Sequence, residues 1–454
     1  MKLKWLQKRV LLLQVILSVA CYYSYFPFSN HTVSCAYNPD PIPNKRRVIF
    51  FCPDVHDGTR RDLAFSLYHL NQSIVFSSYK CSLPKYSRVH SMEMTTEATN
   101  HSVFPSIVIA DANTCRRTPF KQFDEAAAHH SFSLFKEYSL SSSVDAIICS
   151  FYPAECLNYV TTNKTVVFLP AHRFLLLLCK SEQVNAALFW MFHSGLPNIQ
   201  VIAMGEYDKE YINYYTGKEV PFLYPSSFFE YSAPQIRRNL FDEVLVAPFH
   251  PVSDYYSSVL NGLALKQHYN ITFTSVKRKI NGSFTFDDLN RFPIVVVFPY
   301  AVLSYYLSDI IASAIPMIVP SRQYISMNKG LLSDYRNQDR YYCNGTAIMP
   351  ERSNASKHIL SPEANTPESR YYWSQYASFY TPCVTTFHSM DEIPGLVERM
   401  NVNSVYECNL KFIEEMKKHN RREWLRLFRR IHPRTTANDY SDVLALVNRS
   451  SVYQ

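Results

Sequence analysis

The amino-acid sequence predicts an α/β chain: two consecutive parallel-sheet units covered by helices, behind one N-terminal membrane-targeting segment. Three observations carry this expectation. Short apolar runs alternate with stretches of helical period along two separate tracts. Between the tracts, PFLYPSSFFEYSAPQIRRN (221–239) is rich in Pro, Ser and aromatic residues and has neither period. At the start, Lys2, Lys4, Lys8 and Arg9 precede VLLLQVILSVACYYSYFPF (10–28), about the length that crosses a bilayer's hydrocarbon core.

The first element is that apolar segment. Ser18-Val19-Ala20 offers small residues for cleavage, but apolar and aromatic residues continue beyond Ala20, which favours an uncleaved anchor over a cleaved signal. The positive-inside rule then holds residues 1–9 in the cytosol and sends everything after Phe28 to a lumen or the cell exterior. A stem over residues 29–46 follows, and its Pro-rich NPDPIPNKRR (38–47) runs up to the start of the first domain as an extended spacer.

The first tract opens with VIFFCP (48–53), a short buried strand, then TRRDLAFSLYHL (59–70), a helix with Leu63, Leu67 and Leu70 on one side, and IVFSSY (74–79), the next strand. Further strands are expected at 105–111, 144–151, 164–170 and 198–204. The first domain is thus placed at 47–228 and a hinge at 229–241. In the second tract, 242–408, strands are expected at 243–249, 271–276, 294–298, 317–320 and 384–387, with helices near 251–266 and 302–314. Leu303, Leu307, Ile310, Ile311 and Ala314 form one stripe, the pattern of a helix laid on a parallel sheet. Residues 322–369 turn polar and read as a surface excursion. SMDEIPGLVERM (389–400) carries a capping box, Ser389 with Glu392, and a basic helix closes the chain over 409–431, followed by a tail to 454.

Composition narrows the chemistry. Gly is scarce at 9 residues against 33 Tyr and 30 Phe, and glycine spacing excludes both GxGxxG and GxxxxGK[ST]. CxxC, DxD, GxSxG, HExxH and EF-hand loops are absent from the sequence, so no metal site is expected. Sequons at Asn30, Asn71, Asn100, Asn163, Asn270, Asn281, Asn344, Asn354 and Asn448 support a lumenal address, and most of the 11 Cys could pair in an oxidising compartment, with connectivity unreadable from spacing. The net charge of +8 includes the basic cytosolic tail. KFIEEMKKHNRREWLRLFRRI resembles a nucleic-acid stripe in isolation, yet a lumenal address makes it a solvated helix face, and nucleic acid is not an expected partner.

Three passages carry a resemblance. VVVFPYAVLSYYLSDIIASAIPMIVPS (295–321) runs strand, loop, helix, small residue, Ile-Pro, strand. QVIAMGEYDKEYINYYTGKEVPFLYPSS (200–227) runs strand, helix, strand to Pro, and TPCVTTFHSMDEIPGLVERM (381–400) runs strand into helix. Together they resemble the GT-B glycosyltransferases. That resemblance implies an α/β fold of two Rossmann-like domains facing a cleft, the first for the acceptor and the second for a nucleotide sugar. It also implies sugar transfer to a glycan, glycoprotein or glycolipid acceptor without metal or further cofactor. Retaining members pair two Glu residues where this chain has Ala301 and Asp309, which favours an inverting mechanism. A non-catalytic scaffold or carbohydrate-binding protein on the same architecture is the alternative.

Sugar transfer needs a base for the acceptor hydroxyl and positive potential for the departing diphosphate. In FFCPDVHDGTRRD a strand empties into a helix at Asp54, His56 and Asp57, so His56 is the candidate base with Asp57 or Asp54 orienting it, or else these residues merely cap the helix. For the donor, the helix start near Val302–Ser304 offers free N–H groups, Tyr300 and Ser304 offer hydroxyls, Asp309 occupies the second acidic position, and Arg322, Lys277 and Arg278 are candidate cations. His172 and Arg173, after another strand, are expected to line the cleft from the first domain. YYWSQYASFY (371–380) could stack on sugar rings or pack a core.

Overall fold

The computed structural model describes residues 48–51, 63, 66, 73–77, 108–110, 144–150, 156, 159–160, 164–170, 189, 191–193, 195–196, 198–225, 243–247, 252–276, 289–302, 305–332 and 351–431. The predicted membrane segment 10–28, the stem and the hinge 229–241 lie outside them. Among the described residues, no helix is long and apolar enough to cross a membrane.

Six parallel strands build the first sheet: β1 (Val48–Phe51), β2 (Ser73–Ser77), β3 (Val108–Ala110), β4 (Ala146–Cys149), β5 (Thr165–Phe168) and β6 (Ile199–Val201), in the order β3-β2-β1-β4-β5-β6. All of its strand pairings are parallel. β4 and β5 are buried along their whole length, which is why AIIC and TVVF show no polar alternation. The run expected as one strand over 198–204 divides: after β6, Ala203–Met204 (β7) leaves the sheet and pairs in parallel with Phe222–Leu223 (β8). Helix α1 (Glu206–Thr216) fills the gap between them. Gly217 ends α1 at φ 70, and a Cβ there would meet that of Ala355 at 2.6 Å, so both backbone sign and space require glycine.

The second sheet has five parallel strands, β9 (Glu243–Ala247), β10 (Thr272–Ser275), β11 (Val295–Val297), β12 (Met317–Pro320) and β13 (Thr385–Phe387), in the order β10-β9-β11-β12-β13. Helix α2 (Val252–Lys266) joins β9 to β10, and α3 (Tyr305–Ala312) joins β11 to β12. Leu307, Ile310, Ile311 and Ala314 are all buried, as the stripe required. Beyond β12 come α4 (Arg322–Met327), α5 (Pro367–Ser374), α6 (Ile393–Arg399) and α7 (Val402–Arg430). The tract expected to be a surface excursion is therefore partly helical, and residues 351–374 pack on α1 through bonds described below. The final helix begins at Val402, seven residues before the expected start, because the Asn401 side chain accepts the Ser404 N–H and caps it. The expected capping box takes another form: the Glu392 carboxylate accepts the His388 N–H, and the Ser389 side chain makes no capping bond to the short 3-10 turn Met390–Glu392.

Ala314 closes the tight turn from α3 to β12 at φ 56, the left-handed region that suits glycine. It is held there from α7, where the buried Asn409 amide donates to the carbonyls of Ala314 and Ile315 at 3.1 and 3.3 Å. The neighbouring Cys408 is bonded to Cys383 just before β13. The left-handed conformation costs alanine about 1–2 kcal/mol, and glycine returns about 0.5–1 of that through its freer unfolded chain. Ala314→Gly is accordingly expected to stabilise by about 0.5–1 kcal/mol and Asn409→Ala to destabilise by about 2, in urea unfolding at neutral pH.

Candidate functional site

Ligands of open parallel sheets sit beyond the carboxyl ends of the strands, where the strand order reverses. The first sheet reverses between β1 and β4, the second between β9 and β11. β1 ends at Phe51, so the segment carrying Asp54, His56 and Asp57 departs from the first reversal point. Those three side chains, with His172, Arg173, Lys277, Arg278 and Ser304, lie outside the described residues. So do all the sequon asparagines except Asn270 and Asn354, which are both exposed.

At the second reversal point the Phe298 N–H donates to the Ala247 carbonyl at 3.0 Å and extends the β9–β11 ladder by one bond. The Tyr256 ring, from the start of α2, stacks on Phe298 with centroids 3.8 Å apart and planes 7° from parallel. Phe387 at the end of β13 meets Phe298 at 5.5 Å, and Tyr324 of α4 meets Phe387 at 5.0 Å. Tyr255, 64% exposed, carries this aromatic surface out to solvent. Burial, then the nearby Tyr324 phenol, pushes the Tyr256 hydroxyl up; burial and Tyr255 do the same to Tyr324. Both stay neutral hydroxyls across the physiological range. Phe298 and Phe387 are buried in this cluster, and Tyr255, Tyr256 and Tyr324 are the rings that reach its surface.

Of the candidate donor residues, Tyr300, Asp309 and Arg322 are described. Tyr300 follows Phe298 and is partly buried, while the Leu332 N–H bonds the Pro299 carbonyl and the Ser378 N–H bonds that of Val302. Helix α3 opens at Tyr305, directly after Ser304. Asp309 is partly buried in mid-helix, its carbonyl accepting from the Ser313 N–H and hydroxyl. Arg322 stands at the carboxyl end of β12 as expected, but its guanidinium is engaged: it lies 4.3 Å from the Tyr371 ring centroid and donates from Nε and Nη2 to the Tyr371 carbonyl at 3.2 and 3.1 Å. The YYWSQYASFY stretch is largely packing: Trp373 is 3% exposed and meets Tyr207, Tyr214 and Tyr376.

Sequence reasoning missed a second cluster altogether. Glu210 of α1 is 3% exposed and His358 is 1% exposed, with His358 Nε2 2.8 Å from Glu210 Oε2 and Nδ1 2.6 Å from the Tyr372 hydroxyl. An ionised carboxylate only accepts, so in the neutral ring Nε2–H donates to Glu210 and the Tyr372 O–H donates to Nδ1. Lys357 and Lys209 reach the same carboxylate at 2.8 and 3.0 Å. Burial alone would push the Glu210 carboxyl up; the bonds from His358, Lys357 and Lys209 outweigh it and hold the group at about 2. Nearby, the Tyr211 hydroxyl donates to Glu363 at 2.8 Å, and Asn213 accepts from the Lys357 N–H and the Ser356 hydroxyl. Nothing local marks His358: its partners lie 148 residues before it and 14 after it.

Among the described residues, no three His, Cys, Asp or Glu gather as metal ligands. No family model matches the chain, and no curated protein matches its sequence. Solved structures with a similar fold include the glycotransferase of kitacinnamycin, 10% identical at TM-score 0.43, over 86% of this chain and all of the other. Sucrose-phosphate synthase from Thermosynechococcus elongatus is 12% identical at TM-score 0.43, over 90% and 98%. UGT2 of Phytolacca americana is 9% identical at TM-score 0.41, over 89% and 99%.

Because the folded Glu210 carboxyl lies below its ordinary value of 4.5, its contribution is complete above pH 4.5 and is lost as pH falls toward 2. Glu210→Gln is expected to destabilise the protein by about 2–3 kcal/mol at pH 7. Urea unfolding measured from pH 7 down to pH 2 should show the wild-type decline across that acid window, and the variant's decline should be shallower by the binding of one proton.

Proposed function

We propose that this chain is a metal-independent glycosyltransferase that moves a sugar from a nucleotide-sugar donor to a glycan, protein or lipid acceptor, with inversion at the transferred carbon. The observation that carries the reading is the pair of strand orders. Each sheet is parallel with one reversal point, and the chain leaves β1 for Asp54, His56 and Asp57 at one reversal and β11 for Tyr300 and Ser304 at the other. His56 is the base, oriented by Asp57 or Asp54. The start of α3, with Tyr300, Ser304 and Asp309, receives the donor beside the Tyr256–Phe298 stack, and Lys277, Arg278 and Arg322 supply positive potential to the diphosphate. His172 and Arg173 border the same cleft. Residues 47–228 form the acceptor domain and 242–408 the donor domain. Arg322 reaches a phosphate by exchanging the Tyr371 carbonyl for it, so its present engagement favours a non-catalytic protein of this architecture as the second reading.

Residues 10–28 anchor the chain in a Golgi or ER membrane with the folded part in the lumen. Two disulfides, Cys149–Cys156 and Cys383–Cys408, and exposed sequons at Asn270 and Asn354 support an oxidising compartment.

With the detergent-solubilised full chain, one nucleoside diphosphate of a panel should raise the melting temperature by roughly 2–6 °C at saturating concentration. The matching nucleotide sugar should be transferred or hydrolysed. His56→Ala should then lower turnover at least about 100-fold while keeping the nucleotide shift. No shift with any nucleoside diphosphate selects the non-catalytic reading. For the compartment, peptide-N-glycosidase should lower the apparent mass of chain made in a secretory host, with Asn270→Gln and Asn354→Gln each removing one step. A mass unchanged by the enzyme would refute the lumenal placement.

A further inference from the structure

Helix α7 buries one face and leaves the opposite one bare. Ile413, Trp424, Leu427 and Phe428 are sealed inside, while Asn420 exchanges two hydrogen bonds with the Tyr224 backbone and His419 Nε2 bonds the Phe222 carbonyl beside β8. On the outer face Lys418, Arg422, Arg426 and Arg429 follow at spacings of four, four and three, one continuous helical stripe, with Arg430 at its edge. Lys418, Arg422 and Arg426 expose 64%, 57% and 56% of their side chains. Two carboxylates of the same helix pair with them. Lys418 meets Glu415, and a single buried carboxylate, Glu423, is shared between Arg422 at 3.4 Å and Arg426 at 2.7 Å. From Trp424 to the end of the helix no acidic residue occurs.

A face serving only solubility would balance its signs, since like charges at helical spacing repel. Here four guanidiniums crowd the last three turns over about 12 Å of helix axis, more than completing the helix dipole requires. We propose that this stripe is a binding surface for a sulfated glycan. Guanidinium forks match the planar pairs of oxygens on sulfate and carboxylate groups, and a row of them matches an anion repeated along a chain. The choice of glycan over nucleic acid rests on the lumenal reading above, supported by the two disulfides. The surface is separate from the donor crevice, because it uses the outer face of α7 and none of the strand ends. It would hold an anionic acceptor, or the matrix that displays one, next to the enzyme.

The test uses the full chain in detergent and immobilised heparin as the probe. The wild type is expected to be retained at physiological salt. The quadruple variant Arg422→Gln, Arg426→Gln, Arg429→Gln, Arg430→Gln should bind soluble heparin at least about tenfold more weakly, with a log–log salt slope shallower by roughly two to three. All four side chains are exposed, but Arg422 and Arg426 pair with the buried Glu423, so Glu423→Gln is added to the variant, and circular dichroism with the melting temperature checks that it folds. The double variant Arg429→Gln, Arg430→Gln leaves those pairs in place and should weaken heparin binding in the same direction. The first variant's nucleoside diphosphate shift should persist, which separates loss of this surface from failure of the glycosyltransferase reading. No retention of the wild type, equal binding by the folded variant, or tighter binding to duplex DNA or phosphatidylserine vesicles than to heparin would each overturn the proposal.

Discussion

A carboxylate removed from water is the constraint on which the arrangement of this molecule turns. Glu210 cannot stay ionised in the interior unless each neighbour stays in place, and its neighbours come from both sides of the chain: Lys209 from α1, Lys357 and His358 from the segment before α5. Removing one partner from such a group leaves a buried charge unpaired, which costs far more than the net worth of the pair. The cluster therefore works as a lock. Where an apolar contact would tolerate sliding, the 2.8 Å bond to an oriented imidazole does not.

The lock reaches the crevice by a short route. His358 Nδ1 is hydrogen-bonded to the Tyr372 hydroxyl of α5, and the same helix straps α4 through Arg370 to the Ser326 carbonyl and through the Tyr371 carbonyl to Arg322. Helix α4 starts directly from β12, its Ser321 cap accepting the Tyr324 N–H, and Tyr324 packs on Phe387. The position of the first unit's last helix is thus mechanically continuous with the carboxyl edge of the second sheet. A second connection runs through α7, whose Asn420 binds the Tyr224 backbone while its Asn409 holds the turn before β12. Both connections end on the β11–α3–β12 unit.

The strands of that unit were legible in the sequence because burial on both faces removes polar alternation: VVV and MIVP could be nothing else at their lengths. The same holds for AIIC, TVVF and EVLVA, and the helix stripe from Leu307 to Ala314 was plain from its period. Local pattern has no access to contacts between distant segments. His358 sits in a polar tract that reads as surface, and only its burial against Glu210, 148 residues away, reveals its place. Arg322 was visible as a cation after a strand, but its stacking on Tyr371 depends on how α5 packs. The division of 198–204 into two strands was hidden for a related reason: Ala203 finds its partner at Phe222, beyond an intervening helix.

Glycine scarcity gives the remaining link between composition and site. A chain with 9 glycines places other residues where the backbone turns left-handed, and among the described residues it does so at His268, Ala314 and Leu332. Two of the three border the β11–α3–β12 unit: Ala314 enters β12, and the Leu332 N–H binds the Pro299 carbonyl at the exit of β11. Each such position stores about 1–3 kcal/mol and persists only because its surroundings over-determine it. At Ala314 the surroundings are Asn409 and the nearby disulfide Cys383–Cys408; at Leu332, a buried side chain and a bond back to the strand exit. Strain at the entry of β12, held from α7 by Asn409, and at the exit of β11, held by the bond to Pro299, marks a unit whose backbone position is closely controlled on both sides of α3. The anion site proposed above has no glycine cradle, and such a site needs that control, because every group aimed at an anion must then be set by packing instead of by a flexible loop.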